Sequence, residues 1–409
     1  MATAACAAKL AWQAGQAIAL AISLYQTAIT LVGYLARRHN AERDGAQPWG
    51  ARFALVVCAR NEAEVVGRIV RDLLEQEYPA ELRDVVVVAH NCTDVTARVA
   101  AAAGARVIET ETGLPGKAWA IRAAMEALGE GYDFVGVFDA DARAEPGLLA
   151  TVAARGREEQ CLQVETVPIA DPEWLAEGYG FGRKARNLFW WQPREALGLG
   201  TTISGCGWFM RPTLLAETLR SISTLTEDLE MTALLATRGV RVAYVSSARV
   251  AVGEPRDLRT SLRQRTRWVR GHLLVVARYW PGLLWRALHG DLRALDLAIY
   301  LVAPTRMLTR LGVSAAALQS LLRLGPRLPL AATLPVAAAE WAVPGAIALR
   351  ERLIGFNRRG LRLALQHGVL SLLWFPIGLW ALVTARVVAW APSARSTAPQ
   401  GGTHVAPGG

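Results

Sequence analysis

The stretch from Trp12 to Ala36 runs for 25 residues without an Asp, Glu, Lys or Arg. An apolar run of that length can cross the roughly 30 Å hydrocarbon layer as a helix, the one single-segment conformation that pairs all of its own backbone donors and acceptors. A cleaved leader would have a shorter apolar core and a small-residue cleavage site, so the run reads as an uncleaved anchor within residues 1–50. Arg37, Arg38 and Arg43 follow it. Positive charge beside a span stays in the cytoplasm, which would hold the next domain there.

The other end of the chain repeats the theme. Leu363 to Ala385 is a second uncharged run, of 23 residues, with Trp374, Trp380 and Trp390 along or just beyond it. Leu328 to Leu349 is nearly as apolar but contains Pro329, Pro335, Pro344 and Glu340, and reads as a kinked helix whose carboxylate faces protein. Arg350, Arg352, Arg358, Arg359 and Arg362 between these runs form a basic loop expected in the cytoplasm. Leu295 to Leu322 is split by Arg306 and Arg310, one helical turn apart. It is either an interfacial helix before a short span or a span whose arginines line a polar path. Residues 294–391 thus read as a membrane bundle, and the Pro/Gly/Ser/Thr-rich 392–409 as a disordered tail.

Composition agrees with a membrane setting. Hydrophobic residues make up 52% of the 409, yet 45 basic residues face 35 acidic ones. That is too apolar for a disordered scaffold. The basic residues cluster beside apolar runs rather than on a soluble face, which argues against a nucleic-acid partner. Cys6, Cys58, Cys92, Cys161 and Cys206 form no C-x-x-C pair and have no histidine at ligand spacing, so neither a zinc site nor a disulfide framework is indicated.

Between the apolar ends the chain alternates strand and helix patterns. Phe53–Val57, Val85–Ala89, Arg106–Ile108 and Phe134–Phe138 are short β-branched or apolar runs. The stretches Glu64–Glu77 and Ala118–Leu128 have helical spacing, so the economical fold is α/β with a mostly parallel sheet, here assigned to residues 51–255. No G-x-G-x-x-G follows the first strand and no G-x-x-x-x-G-K-[ST] occurs, which disfavours dinucleotide oxidoreductases and P-loop ATPases. Ligands of open parallel sheets bind beyond the strands' carboxyl ends. Asp139-Ala140-Asp141 emerges there, and two carboxylates so spaced can share a hard divalent cation with substrate phosphates; the bland reading is a solvated turn. Pro115-Gly116-Lys117 opens a helix and would bring a cation near phosphate. Thr226-Glu227-Asp228 precedes a helix, where simple capping is the plain alternative. Residues 256–293 carry nine arginines against Asp257 and Asp291. They read as amphipathic helices in the cytoplasmic headgroup layer, or else their apolar residues pack onto the α/β domain.

Taken in order, Arg60-Asn61-Glu62, Asn91-Cys92-Thr93-Asp94, Pro115-Gly116-Lys117, Asp139-Ala140-Asp141, Thr226-Glu227-Asp228 and Gln264-x-x-Arg267-Trp268 resemble the family 2 inverting glycosyltransferases of GT-A fold. The closer likeness is to the membrane branch of cellulose, chitin and hyaluronan synthases, and it covers Phe53 to Trp268. The resemblance implies that Arg60, Asn61, Glu62 and Asp94 form the base and ribose pocket of a nucleotide sugar, with Lys117 near its diphosphate. It implies that Asp139 and Asp141 hold that diphosphate through Mg²⁺ or Mn²⁺, and that Asp228, grouped with Thr226 and Glu227, is the general base on the acceptor hydroxyl. Gln264, Arg267 and Trp268 would complete the diphosphate and acceptor site, and Gly205-Cys206 lies in the loop that shapes the acceptor pocket, where a plain tight turn is the alternative. His90 and Cys58 stand where many members have an acidic residue and a proline, which weakens the uridine preference. The implied protein is a multi-pass plasma-membrane enzyme with its catalytic domain in the cytoplasm, moving sugar from a UDP-sugar to a glycan or lipid-linked acceptor. Polymer synthesis, single-sugar addition to a lipid-linked or small acceptor, and a non-catalytic scaffold remain the three readings.

Overall fold

The computed structural model describes residues 2–37, 49–112, 116–224, 226–303 and 306–384. Arg38, Arg43, Pro115, Ala385, Trp390 and the 392–409 tail lie outside the described residues. A long helix, α1 (Ala2–Ala36), leads into the alternating elements β1 (Phe53–Ala59), α2 (Val66–Leu74), β2 (Arg83–His90), α3 (Thr96–Ala102), β3 (Arg106–Thr110), α4 (Lys117–Ala127) and β4 (Phe134–Asp139). The pleat of β1 explains its unbroken apolar run. Phe53, Leu55 and Val57 face one core, with Val66, Ile69, Val70 and Leu73 of α2, while Ala54 and Val56 face the other, with Ala118, Ile121 and Ala124 of α4.

The chain continues through β5 (Arg143–Ala144), α5 (Leu148–Arg155), β6 (Cys161–Pro168), α6 (Trp174–Arg186), α7 (Gln192–Ala196), β7 (Trp208–Met210), α8 (Pro212–Leu219), α9 (Glu227–Thr237) and β8 (Ala243–Val252). The eight strands order as β3-β2-β1-β4-β7-β6-β8-β5. β3, β2, β1 and β4 are mutually parallel, and β7 runs antiparallel to β4 and β6. Register pairs Cys58 with Asp139, Ala59 with Ala89 and His90 with Thr110, so the carboxyl ends of four strands open on one edge. The chain runs from β1 outward through β2 to β3 and then crosses back to β4 on the other side of β1, and the crevice at that reversal receives ligand in sheets of this kind.

Residues 258–288 are one 31-residue helix, α10 (Leu258–Leu288), where the arginine pattern predicts several. Its Val275, Tyr279 and Leu283 enter the core beside Met231 and Leu235 of α9, so much of the apolar stripe belongs to the α/β domain. Asp257 caps it by accepting from the Thr260 N–H at 2.8 Å. The stretch 295–322 is two helices, α11 (Leu292–Val302) and α12 (Arg306–Leu321). Then come α13 (Leu330–Arg350), α14 (Arg358–Leu372) and α15 (Trp374–Val383). Among the described residues three segments are long and apolar enough to cross a membrane: Cys6–Ala36, Leu330–Arg350 and Arg358–Val383, the last made of α14 and α15 joined at Leu373. Glu340 does face protein. It is fully buried, accepts from Thr27 Oγ1 at 2.8 Å, and pairs with Arg306 at 3.2 Å and Arg310 at 3.5 Å.

Two contacts orient the bundle. Arg37 reaches Glu351 at 2.6 Å at one end of α1, and Gln13 donates to the Arg327 carbonyl at 3.0 Å toward the other. The turns before and after α13 therefore lie at opposite ends of α1. Cysteines introduced at Phe356 and Leu324 should label with an impermeant maleimide from opposite faces of the membrane, Phe356 from the face that carries the α/β domain. Labelling of both from one face would overturn this placement.

Candidate active site

At the carboxyl end of β4, Asp139 accepts from the Lys117 ammonium at 2.5 Å. Lys117 opens α4 after Gly116, whose φ of 127° is open to glycine and strained for other residues. The same ammonium donates to the Gly205 carbonyl at 2.5 Å. Burial works against the charge of Lys117, but Asp139 more than offsets it and holds the ammonium protonated well above the ordinary lysine range. The loop containing Gly205 also touches the sheet end through Cys206, whose Sγ accepts from the Asp139 N–H at 3.4 Å. Asp141 lies two residues on, where crowding by protein and then the charge of Asp139 push its carboxyl up to about 6.

Thr226-Glu227-Asp228 leads into α9 beside that loop. A Cβ on Gly205 would stand 3.6 Å from Asp228 Oδ2, so the loop lies in contact with both the Lys117–Asp139 pair and Asp228. Asp228 Oδ1 accepts from the Leu229 N–H at 2.8 Å. Burial raises the Asp228 carboxyl above the usual range, with that hydrogen bond opposing, and Glu227 beside it is pushed up to about 7 by burial and then by Asp228. Lys117 and Arg267 both pull these two carboxyls back down, which puts Arg267 of α10 within electrostatic reach of the motif.

Two residues that motif reading passes over hold this arrangement. Glu230, fully buried, accepts from the Ser223 and Thr224 N–H groups at 2.9 and 2.7 Å and from Arg278 at 3.0 Å, fastening the turn before Thr226 to α10. Gly271, one turn beyond Arg267, lets α10 lie directly on Thr226: a Cβ there would fall 2.3 Å from Thr226 Oγ1. Gly271→Ala should therefore push α10 off the motif and lower turnover about 10²-fold, the usual scale for an ångström of misplacement, in a steady-state assay at saturating donor. Wild-type turnover would show that this close approach is dispensable.

The remaining sequence-predicted residues divide between two places. Arg60, Asn61, Glu62 and Asp94 are brought together by β1 and β2 and are largely engaged in joining their loops. Asn61, at φ 56°, accepts from the Thr93 N–H at 2.8 Å, the Glu62 N–H donates to Thr96 Oγ1 at 2.7 Å, and Asp94 accepts from the Ala63 and Thr96 N–H groups at 3.3 and 3.0 Å. Burial raises the Asp94 carboxyl, but those hydrogen bonds prevail and leave it lowered. On α10, Gln264 is half-buried one turn before Arg267. Trp268 turns instead toward Arg265, 5.5 Å away, in a cluster completed by Tyr179 of α6 at 3.7 Å and Trp374 of α15 at 5.2 Å. The wall of the site is thereby packed against an apolar C-terminal helix.

Asp139 and Asp141 fit a divalent cation as a two-carboxylate set. Among the described residues no group of three His, Cys, Asp or Glu could hold an ion, and Mg²⁺ bound by one or two carboxylates completes its shell with phosphate oxygens and water. The mutual repulsion that raises Asp141 is what an ion there would relieve.

Residues 51–271 match the model of the "Glycosyltransferase like family 2". A beta-monoglucosyldiacylglycerol synthase of Synechocystis sp. is 28% identical over 264 residues, covering 61% of this chain and 54% of the relative. One from Trichormus variabilis is 23% identical over 280 residues, covering 65% and 58%. The chain thus spans little more than half the length of these curated relatives. Among solved structures, a mannosyltransferase from Pyrobaculum calidifontis in complex with GDP-Man and Mn²⁺ superposes with a TM-score of 0.51 at 19% identity, over 88% of this chain and 99% of that one. The fold is the GT-A fold of that structure, and the chain belongs to the family 2 glycosyltransferases.

Proposed function

We propose that this enzyme transfers one sugar from a nucleoside-diphosphate sugar to a lipid hydroxyl at the cytoplasmic surface of the plasma membrane, with inversion at the anomeric carbon. The observation that carries this reading is the Gly205 loop, which touches both the Lys117–Asp139 pair and Asp228. A cation-and-carboxylate pair and a candidate base gathered at one small loop suit direct displacement, in which a base-activated hydroxyl attacks as the diphosphate leaves. Asp228 takes the acceptor proton. Lys117 and Arg267 oppose the charge that grows on the leaving diphosphate. Mg²⁺ or Mn²⁺ on Asp139 and Asp141 would supply further electrostatic stabilisation of the same oxygens. Arg60, Asn61, Glu62 and Asp94 shape the nucleoside end.

Two features support a lipid acceptor over a growing glycan. The relatives are named for glycolipid synthesis, and α10 joins the site to α15 through Trp268, Arg265 and Trp374. The polymer-building reading keeps one observation of its own, the Gln264-x-x-Arg267-Trp268 motif. Purified full chain supplied with radiolabelled UDP-sugars, Mg²⁺ or Mn²⁺, and diacylglycerol in mixed micelles separates the two. A single labelled glycolipid on thin-layer chromatography is expected. A ladder or an immobile polymer would replace this reading with the second, and label transfer to neither would reject the donor.

A further inference from the structure

Where α6 crosses α14 the structure leaves an open groove of about 380 Å³, away from the site just described. Arg358, Arg362 and Gln366 line it at successive turns of α14, beside an apolar row of Leu361, Leu365 and Val369. That row is 63%, 61% and 53% exposed, at the start of a segment apolar enough to cross a membrane. Trp174 of α6, also exposed, closes one end. Gln366 is different in kind: it is 3% exposed, and neither amide atom has a hydrogen-bond partner. Buried polar groups are rarely left so, and an unpartnered amide on a residue that lines a groove suits a ligand with both polar and apolar parts.

The charges are selective as well. Glu177 of α6 is engaged by Arg362 at 2.6 Å and by Arg359 at 3.5 Å, while Arg358 sits at the groove mouth. Two guanidinium groups and a buried amide run along one edge of the groove with the apolar row beside them, a polar edge and an apolar edge that together suit the phosphate, ester and acyl chains of a phospholipid. We infer that this groove binds an anionic glycerophospholipid, with its phosphate at Arg358 and Arg362, an ester carbonyl at Gln366 and its chains along Leu361, Leu365 and Val369. Trp174 lies at headgroup level, where indoles concentrate. The inference rests on the membrane reading above. Its bearing on the enzyme runs through α6, because Tyr179 of that helix bonds Ser261 at 2.6 Å and stacks on Arg265 at 3.7 Å, both on α10. A lipid seated between α6 and α14 would therefore brace the helix that walls the active site.

The test uses the purified, delipidated full chain in nanodiscs of phosphatidylcholine with increasing phosphatidylglycerol, read by native mass spectrometry of co-released lipid and by transfer rate. Wild type should retain phosphatidylglycerol over phosphatidylcholine and turn over faster with it. Arg358→Gln should cut that preference about fivefold, the size expected of one arginine at an anionic surface, and the Arg358→Gln/Arg362→Gln pair should cut it further. Gln366→Leu should weaken retention of both lipids. Arg359→Gln removes the same charge one residue away, off the groove, and should leave the preference intact. The lipid site is overturned if wild type retains the two lipids alike, if Arg359→Gln acts like Arg358→Gln, or if inorganic phosphate displaces phosphatidylglycerol. Should the double variant fail to fold, Arg358→Gln and Gln366→Leu decide. Wild type that fails to enter neutral nanodiscs would instead reject the membrane reading itself.

Discussion

Asp228→Asn should lower turnover by about 10²–10⁴, the range for loss of a general base, with nucleotide binding near that of wild type. The separation follows from the contacts at the site: Lys117 holds Asp139 and the Gly205 carbonyl, whereas Asp228 lies beside the position of the missing Gly205 Cβ and makes no contact in that pair. The amide can still accept from the Leu229 N–H, so the start of α9 is preserved. Titration calorimetry with UDP and single-turnover rates on the same preparation read the two effects independently. Burial raises the wild-type carboxyl, and a base works only when deprotonated. The wild-type rate should therefore fall on acidification at a higher pH than an exposed aspartate would give, and that limb should be missing from the variant. Binding and turnover falling together would make Asp228 a helix cap and nothing more.

Asp141→Asn should abolish transfer and remove metal-dependent nucleotide binding while the fold survives. The stability sign separates this from simple damage. A carboxyl near 3.8 when unfolded and raised to about 6 in the fold favours protonation of the native state. Its ionisation therefore costs stability as pH rises through that interval, and the cost persists above it. Metal-free Asp141→Asn should melt at or above wild type at pH 7 and match it near pH 4, by circular dichroism. Near wild-type turnover with Mg²⁺ or Mn²⁺ would remove the metal assignment.

The strands were legible in the sequence because both faces of a covered parallel sheet must be apolar, so Phe53–Val57 and Phe134–Phe138 show as runs of the right length. The polar clusters after them were legible for the same reason, since a strand ends where apolar residues stop. Partnerships across long sequence gaps were not. Lys117 and Gly205 are 88 positions apart, and Glu230 and Arg278 are 48 apart. Gly271 carries no local signal, because its need for a missing Cβ arises only from Thr226 in another element. The arginine-rich stretch left two readings open for a related reason: an amphipathic pattern states that one face is apolar, not whether lipid or protein covers it.

Glu340 has a consequence for how the chain is made. Arg306 and Arg310 stand in the first turns of α12, and the one carboxylate that both approach belongs to the next helix. An isolated segment with two guanidinium groups partitions poorly into lipid. On the membrane reading, α12 should therefore be held at the insertion machinery until α13 emerges, so that Glu340 offsets one of the two positive charges while the Thr27 and Thr30 hydroxyls of α1 accept hydrogen bonds from Arg306. The order of helices along the chain, anchor first and acid last, is then also an order of assembly.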